Sequence, residues 1–122
     1  MDRTILLADD EPAVRTMLTT ALEAAGYRVL AVGDGVEAVE AFRAQADDID
    51  LVVLDLTMPR MGGEEAFREI AAMRPDAKVL LSSGFTEQEP ARDAAGVRPR
   101  GYIQKPFRIA VFMQIVAQAL DQ

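Results

Sequence analysis

The stretch TILLADDEP at residues 4–12 indicates the fold class, because a continuous apolar run ends there in three acidic residues. Unbroken apolar runs of this length are typical of strands buried on both faces of a parallel sheet, whereas half-exposed strands alternate apolar and polar residues. Pro12 suits the first turn of a helix, and apolar residues recur every 3 to 4 positions from Val14 until Gly26. We therefore predict a buried strand followed by an amphipathic helix, with the acidic residues between them.

Four more strand-like segments follow, at residues 27–32, 50–54, 77–81 and 101–104, each with a helix-like segment after it. The helices are predicted to begin near Asp34 and to cover residues 64–73, 87–95 and 111–120. The helix at 87–95 should be short, because Pro90 removes a backbone hydrogen bond unless it lies in the first turn. The last helix should bury Val111, Ile115, Val116 and Leu120. Five alternating units predict one α/β domain over residues 1–122, with a doubly wound parallel sheet covered by helices on both faces.

The composition narrows the function classes that this chain can serve. A net charge of −7 argues against binding nucleic acids or anionic membranes, which requires clustered lysine and arginine. The absence of cysteine and histidine excludes thiolate nucleophiles and imidazole bases, so any chemistry must rest on carboxylates, hydroxyls and lysine. No apolar run approaches the roughly 20 residues that span a bilayer and no targeting segment is visible, so we expect a cytoplasmic protein.

Polar side chains follow four of the predicted strands. They are Asp9 and Asp10 after the first strand, Asp55 after the third, Ser83 after the fourth and Lys105 after the fifth. The carboxyl ends of the strands in an open parallel sheet meet at one edge, where such folds bind ligands. Three neighbouring carboxylates need a cation to neutralise them, and Mg²⁺ is a hard ion that prefers oxygen ligands and phosphate.

This arrangement is suited to the transfer of a phosphoryl group. Asp55 stands alone on its strand end and can attack phosphorus in line, while Asp9 and Asp10 hold the metal. Lys105 supplies positive charge and Ser83 supplies a hydroxyl donor for the phosphoryl oxygens. The sequence therefore predicts an aspartyl phosphate at Asp55 that forms with Mg²⁺.

The same segments resemble the receiver domain of two-component response regulators over essentially the whole chain. The resemblance is carried by LADDE at 7–11, LDLTMP at 54–59, SSG at 82–84 and GYIQKPF at 101–107. LLSSGF at 80–85 and YIQKPF at 102–107 are most similar to receivers attached to hybrid sensor histidine kinases. Gly62, where the family often has aspartate, and the basic Arg98 and Arg100 depart from the pattern and leave the choice of partner open.

The resemblance implies the flavodoxin-like strand order 2-1-3-4-5 and a cis peptide bond before Pro106, which is uncommon but tolerated before proline. It implies that Asp55 accepts its phosphoryl group from the phosphohistidine of a sensor histidine kinase or of a histidine phosphotransfer protein. Asp10 would bind Mg²⁺ directly, Asp9 through water and Thr57 through its backbone carbonyl, with Asp55 completing the metal site.

The resemblance also implies a surface that changes on phosphorylation. Ser83 and Lys105 would bind the phosphoryl oxygens, and Tyr102 would move when Ser83 engages the phosphate. The surface around the fourth helix, the fifth strand and the last helix would then change, in a monomer or a weak phosphorylation-dependent dimer. The sequence does not indicate the downstream partner.

The lifetime of the phosphoryl group is expected to depend on Thr57 and Phe85. In the receiver family, the residues two beyond the phosphoacceptor and two beyond the hydroxyl border the path of attacking water. Neither Thr57 nor Phe85 orients water well, and Phe85 could cover the phosphoryl group, so slow self-dephosphorylation is expected. Faster phosphoryl decay in Thr57→Asn and Phe85→Glu is the result that would support this expectation.

Two other functions remain open at this point. A phosphatase that passes through an aspartyl phosphate typically needs a second carboxylate two residues after the nucleophile, but position 57 is threonine. A receiver-like scaffold that is never phosphorylated is not excluded by any sequence feature, although the intact set of pocket residues argues against it. A nucleotide-binding module is disfavoured, since no glycine-rich phosphate-binding motif follows the first strand. We expect a switch that catalyses only its own phosphorylation and dephosphorylation.

Overall fold

The computed structural model describes residues 3–84 and 98–121, which contain five strands and four helices. The strands are β1 (Thr4–Ala8), β2 (Arg28–Val32), β3 (Leu51–Asp55), β4 (Val79–Ser83) and β5 (Gly101–Gln104). The helices are α1 (Pro12–Ala24), α2 (Gly35–Gln45), α3 (Gly63–Met73) and α4 (Ile109–Leu120). The helix predicted at 87–95 lies outside the described residues, as does Phe85. Within the described ranges, no helix has the length and apolar character needed to cross a membrane.

The five strands form one parallel sheet in the order β2-β1-β3-β4-β5, which confirms the predicted α/β fold and its strand order. β1 and β3 lie inside the sheet, and all five residues of each are buried. β2 and β5 lie at the edges and include exposed residues. Continuous apolar sequence therefore marks inner strands, because both of their faces are covered.

Side chains of the inner strands alternate between two hydrophobic cores, one on each face of the sheet. One core contains side chains of α2 and α3, among them Phe42 and Phe67. The other contains side chains of α1 and α4, among them Leu22 and Phe112. Each fully buried side chain of this size stabilises the fold by about 1.5–3 kcal/mol relative to exposure, so packing on both faces fixes the sheet edge that carries the polar residues.

Two strands end later than the sequence predicted. β3 extends to Asp55 and β4 extends to Ser83. Asp55 pairs in register with Ser82, and Ser83 pairs in register with Gln104, so these residues remain within the sheet. Asp55 and Ser83 are therefore positioned by strands rather than by the loops that follow them.

The predicted core face of α4 needs correction. Val111 was expected to face the core, but it is 45% exposed. Phe112 is buried instead, and its ring stacks on Phe107 with 5.4 Å between the centroids. The buried side of α4 is formed by Phe112, Val116, Ala119 and Leu120.

Candidate functional site

The carboxyl ends of β1 and β3 bring three carboxylates together. Asp9 follows β1 and Asp55 ends β3, and both residues are buried, while Asp10 is exposed. One oxygen from each of the three lies within 4.8 Å of the others, a spacing that a single metal ion can bridge. The three carboxylates therefore form the acidic cluster that the sequence predicts at this edge of the sheet.

Lys105, directly after β5, reaches into this cluster. Its Nζ lies 3.0 Å from Asp9 Oδ2, 3.0 Å from Asp55 Oδ2 and 3.5 Å from Glu11 Oε1. Its backbone N–H donates to the Ser83 carbonyl at 2.7 Å, and the next peptide bond, to proline, is cis as the resemblance implied. A single ammonium group therefore bridges two buried carboxylates.

The second oxygen of each buried carboxylate accepts a hydrogen bond from a backbone N–H group. Glu11 N–H donates to Asp9 Oδ1 at 2.9 Å, and Thr57 N–H donates to Asp55 Oδ1 at 3.3 Å. Backbone donors on one side and Lys105 on the other therefore fix the orientation of both carboxylates.

Burial and ion pairing act in opposite directions on the charges of the site. Burial raises the pKa of Asp55 above its ordinary value, although the hydrogen bond from Lys105 opposes this effect. Burial disfavours the charge of Lys105, but hydrogen bonds to Asp55 and Asp9 outweigh burial and hold the pKa of Lys105 above its ordinary value. Lys105 is therefore charged at neutral pH.

The donor set fits Mg²⁺. All three candidate ligands are carboxylate oxygens, the hard donors that this ion prefers, and the exposed Asp10 leaves access for the waters that it retains. Three carboxylates exceed the single charge of Lys105, so negative charge remains for a divalent cation to neutralise. The water-mediated contact predicted for Asp9 and the carbonyl contact predicted for Thr57 stay predictions.

The other predicted site residues surround the cluster at different depths. Ser83 is half-buried at the end of β4, and Thr57 is exposed two residues after Asp55. Tyr102 is 43% exposed and lies in register with Leu81. The phosphate contact of Ser83, the movement of Tyr102 and the effect of Thr57 on phosphoryl lifetime stay predictions.

Sequence reasoning missed two residues that lie beside the cluster. Arg15 Nη1 donates to the Asp9 carbonyl at 2.7 Å, although an arginine on a surface helix usually indicates only a solvated face. Ser82 lies in register with Asp55, and its buried hydroxyl has no hydrogen-bond partner among residues 3–84 and 98–121. The placement of Ser82 depends on strand pairing between segments that are distant in sequence, which local patterns do not encode.

A groove of about 390 Å³ adjoins the cluster, between α1 and the segment after β5. Its polar end contains Lys105, while Met17, which is 46% exposed, lies in its apolar part. The lining residues are Glu11, Val14, Met17, Gly84, Lys105, Pro106 and Phe107. An exposed apolar surface beside a charged site is typical of contact with another protein.

Known proteins share this sequence pattern. The family described as response regulator receiver domain matches residues 5–117. The chain is 35% identical to the sensor kinase CckA of Brucella abortus, over 98% of this chain but only 13% of that protein. It is also 35% identical to the chemotaxis protein CheY of Thermotoga maritima, over 88% of this chain and 89% of that protein.

A solved structure also shares the fold. The receiver domain of the sensor histidine kinase PA1611 from Pseudomonas aeruginosa PAO1 superposes with a TM-score of 0.86 at 27% identity, and the match covers 100% of both chains. That crystal structure has a magnesium ion coordinated in its active site cleft. The two chains therefore share the same fold.

Proposed function

The chain belongs to the response regulator receiver domain family of two-component signalling, and we propose that it is a switch phosphorylated on Asp55 in the presence of Mg²⁺. Receiver domains are phosphoacceptor switches rather than conventional enzymes, so the only reactions proposed here are gain and loss of its own phosphoryl group. The observation that carries the proposal is the position of Lys105 Nζ, 3.0 Å from both the Asp9 and the Asp55 carboxylates.

The site residues have separate roles in phosphoryl transfer. The bond between phosphorus and the imidazole nitrogen of a phosphohistidine breaks, and a bond forms between phosphorus and an Asp55 oxygen. Thr57 N–H orients the Asp55 carboxylate, and Lys105 offsets the negative charge on the phosphoryl oxygens. When bound by Asp9, Asp10 and Asp55, Mg²⁺ would neutralise charge on the carboxylates and on the phosphoryl group.

We propose that the phosphodonor is a sensor histidine kinase or a histidine phosphotransfer protein in the cytoplasm, which this chain meets as a monomer or a weak dimer. The groove beside Lys105 supports a protein donor, because its apolar lining lies next to the carboxylate that must receive the phosphoryl group. The surface that carries the phosphohistidine would cover this groove.

Met17→Glu should slow phosphoryl transfer from a protein donor without slowing phosphoryl transfer from a small molecule. A carboxylate in the groove would lose water on docking without gaining a partner, so transfer from the phosphorylated protein should slow about tenfold or more. Phosphorylation by acetyl phosphate should keep the wild-type rate, because that donor needs only the pocket. Met73→Glu is the matched control, since Met73 is 38% exposed on α3, outside the groove. Equal transfer rates for the two variants would contradict docking on the groove.

We propose that the output surface includes β5, together with the fourth predicted helix, which lies outside the described residues. Ser83 pairs in register with Gln104, so a movement of Ser83 towards phosphate would reach the strand that carries the exposed Tyr102. Beryllofluoride with Mg²⁺, which imitates the phosphoryl group, should change the amide chemical shifts of residues 101–104. If these shifts stay constant while those near Asp55 change, the output surface lies elsewhere.

Intact mass spectrometry after incubation with acetyl phosphate and Mg²⁺ tests the proposed function. A switch gains one phosphoryl group that persists after the reagents are removed, and chelation of the metal prevents this gain. A phosphatase instead releases phosphate continuously without accumulating an adduct, and a scaffold stays unmodified. Either of the last two results would overturn the proposal.

A further inference from the structure

The loop of residues 56–62, which follows β3, is attached to the fold at both ends. Leu56 N–H donates to the Ser82 carbonyl at 2.8 Å, and Gly35 N–H donates to the Met61 carbonyl at 3.0 Å. A Cβ atom on Gly35 would overlap the Met61 carbonyl, so the two backbones approach this closely because residue 35 is glycine. The end of the loop is therefore seated against the start of α2.

A side-chain contact also ties this loop to α2. Arg60 Nε donates to Asp34 Oδ2 at 2.7 Å, while Asp34 Oδ1 accepts from Glu37 N–H at 2.8 Å as the N-cap of α2. The Asp34 side chain is 11% exposed and that of Arg60 is 57% exposed. The hydrogen bond from Arg60 lowers the pKa of Asp34, so the ion pair persists at neutral pH. One partner is thus fixed as the N-cap that precedes α2, and the other lies in the loop after β3.

Arg60 has a backbone conformation that residues other than glycine rarely adopt. Its φ is 63°, in the left-handed region where Cβ crowds the following carbonyl. Such conformations persist where surrounding contacts impose them, and they cluster at functional sites. The contacts here are a hydrogen bond across Arg60, from Met61 N–H to the Pro59 carbonyl at 2.6 Å, the ion pair with Asp34, and the hydrogen bond from Gly35 N–H to the Met61 carbonyl.

Three residues before Arg60, the loop contacts the phosphoacceptor. The hydrogen bond from Thr57 N–H to Asp55 Oδ1 is long, at 3.3 Å, so a small displacement of the loop would break it. We propose that the Asp34–Arg60 ion pair is a positioning clamp that holds residues 57–60 where Thr57 orients the Asp55 carboxylate. This inference rests on the proposed function, because its consequences are tighter Mg²⁺ binding and faster phosphorylation.

Simple charge effects predict a different result. Removing the cation at Arg60 should favour Mg²⁺ at the nearby carboxylates, whereas removing the anion at Asp34 should disfavour it. A clamp predicts that both substitutions weaken Mg²⁺ binding, because each breaks the same contact. The direction of the change in Arg60→Gln therefore distinguishes the two explanations.

The experiment compares Arg60→Gln, Asp34→Asn and the double variant. Asparagine keeps a side-chain oxygen for the N-cap while removing the charge that faces Arg60. Titration calorimetry measures Mg²⁺ affinity, and hydrogen exchange of the Thr57 amide in metal-free protein measures loop opening. We expect each single substitution to weaken Mg²⁺ binding and speed Thr57 exchange about three- to fivefold, the range for a partly exposed ion pair. The double variant should bind Mg²⁺ no more weakly, and exchange the Thr57 amide no faster, than either single variant. Arg60→Lys should lose less Mg²⁺ affinity than Arg60→Gln.

Two other ion pairs provide controls with matched changes of charge. Arg68→Gln breaks the pair with Glu64 within α3, and Asp47→Asn breaks the pair with Arg74. Both variants should keep wild-type Mg²⁺ affinity and Thr57 exchange.

Three results would overturn the clamp: tighter Mg²⁺ binding by Arg60→Gln, additive losses in the double variant, or equal losses in the controls. If the proposed function is wrong, the result is different: the wild type binds no Mg²⁺ and gains no phosphoryl group. Hydrogen exchange at Thr57 still decides on the clamp in that case, because it requires neither metal nor phosphate.

Discussion

Asp55→Asn should abolish the phosphoryl adduct that we expect the wild type to gain from acetyl phosphate and Mg²⁺. The amide lacks the carboxylate nucleophile, yet it has nearly the same size, and its single oxygen can still accept the hydrogen bond either from Thr57 N–H or from Lys105. The fold should therefore remain intact. Intact mass measures the adduct, and a variant that still gains one phosphoryl group would show that another residue is the acceptor.

The stability of this variant should depend on pH in a defined direction. Burial raises the folded-state pKa of Asp55, so its ionisation costs stability in the folded protein. In the absence of metal, the variant and the wild type should be similarly stable in acid. As the pH rises above the ordinary pKa of aspartate, the free energy of unfolding of the variant should increasingly exceed that of the wild type. This difference should become constant above the raised pKa of Asp55. Urea unfolding across this pH range measures the difference in the free energy of unfolding. A wild type that is more stable than the variant at high pH would contradict the electrostatic explanation.

Lys105→Met should make the stability of the protein depend on Mg²⁺. The Asp9 and Asp55 carboxylates are both buried and both lie 3.0 Å from Lys105 Nζ, so losing the ammonium leaves two like charges without a partner. Removing one partner of a buried ion pair costs about 3 kcal/mol or more, and added Mg²⁺ should restore much of this loss. Phosphorylation should slow roughly 100-fold, because charge on the phosphoryl oxygens loses a stabilising group.

Urea unfolding with a chelator measures the loss of stability in Lys105→Met, and urea unfolding with Mg²⁺ measures how much of this loss the metal restores. The raised pKa of Lys105 means that its stabilising charge is fully present at neutral pH and is lost only when the pH rises through that value. Lys78→Met makes the same change of charge before β4, where Lys78 Nζ donates to the Leu120 carbonyl at 2.9 Å. If Lys105→Met is no less stable without metal than Lys78→Met, the ammonium does not balance the two carboxylates.

The central fold and most of the acidic cluster could be predicted because each was encoded locally. The unbroken apolar run of β1 indicates a strand covered on both faces, and the acidic residues after it indicate the edge at which ligands bind. Asp9, Asp55 and Lys105 meet because parallel strands end at the same edge, a rule that needs no knowledge of side-chain packing.

The core face of α4 could not be predicted in the same way. This helix contains no charged residue, so its apolar positions surround the axis and hydrophobic spacing does not select one side. Contact with the sheet selects Phe112 and leaves Val111 exposed.

The ion pair between Asp34 and Arg60 was also beyond sequence reasoning. The two residues are 26 positions apart and belong to different loops, and Asp34 alone indicates only a helix cap. Their contact depends on the close approach of Met61 to Gly35, which is a property of the packed fold.

The contact between Lys105 and Asp9 joins residues that are 96 positions apart in the chain. A growing polypeptide therefore contains the Asp9 and Asp55 carboxylates long before it contains the ammonium group that pairs with them. Because Lys105 directly follows β5, the pocket is assembled only when this edge strand has paired with β4. The proposed capacity for phosphorylation would thus arise only after β5 has paired with the rest of the sheet.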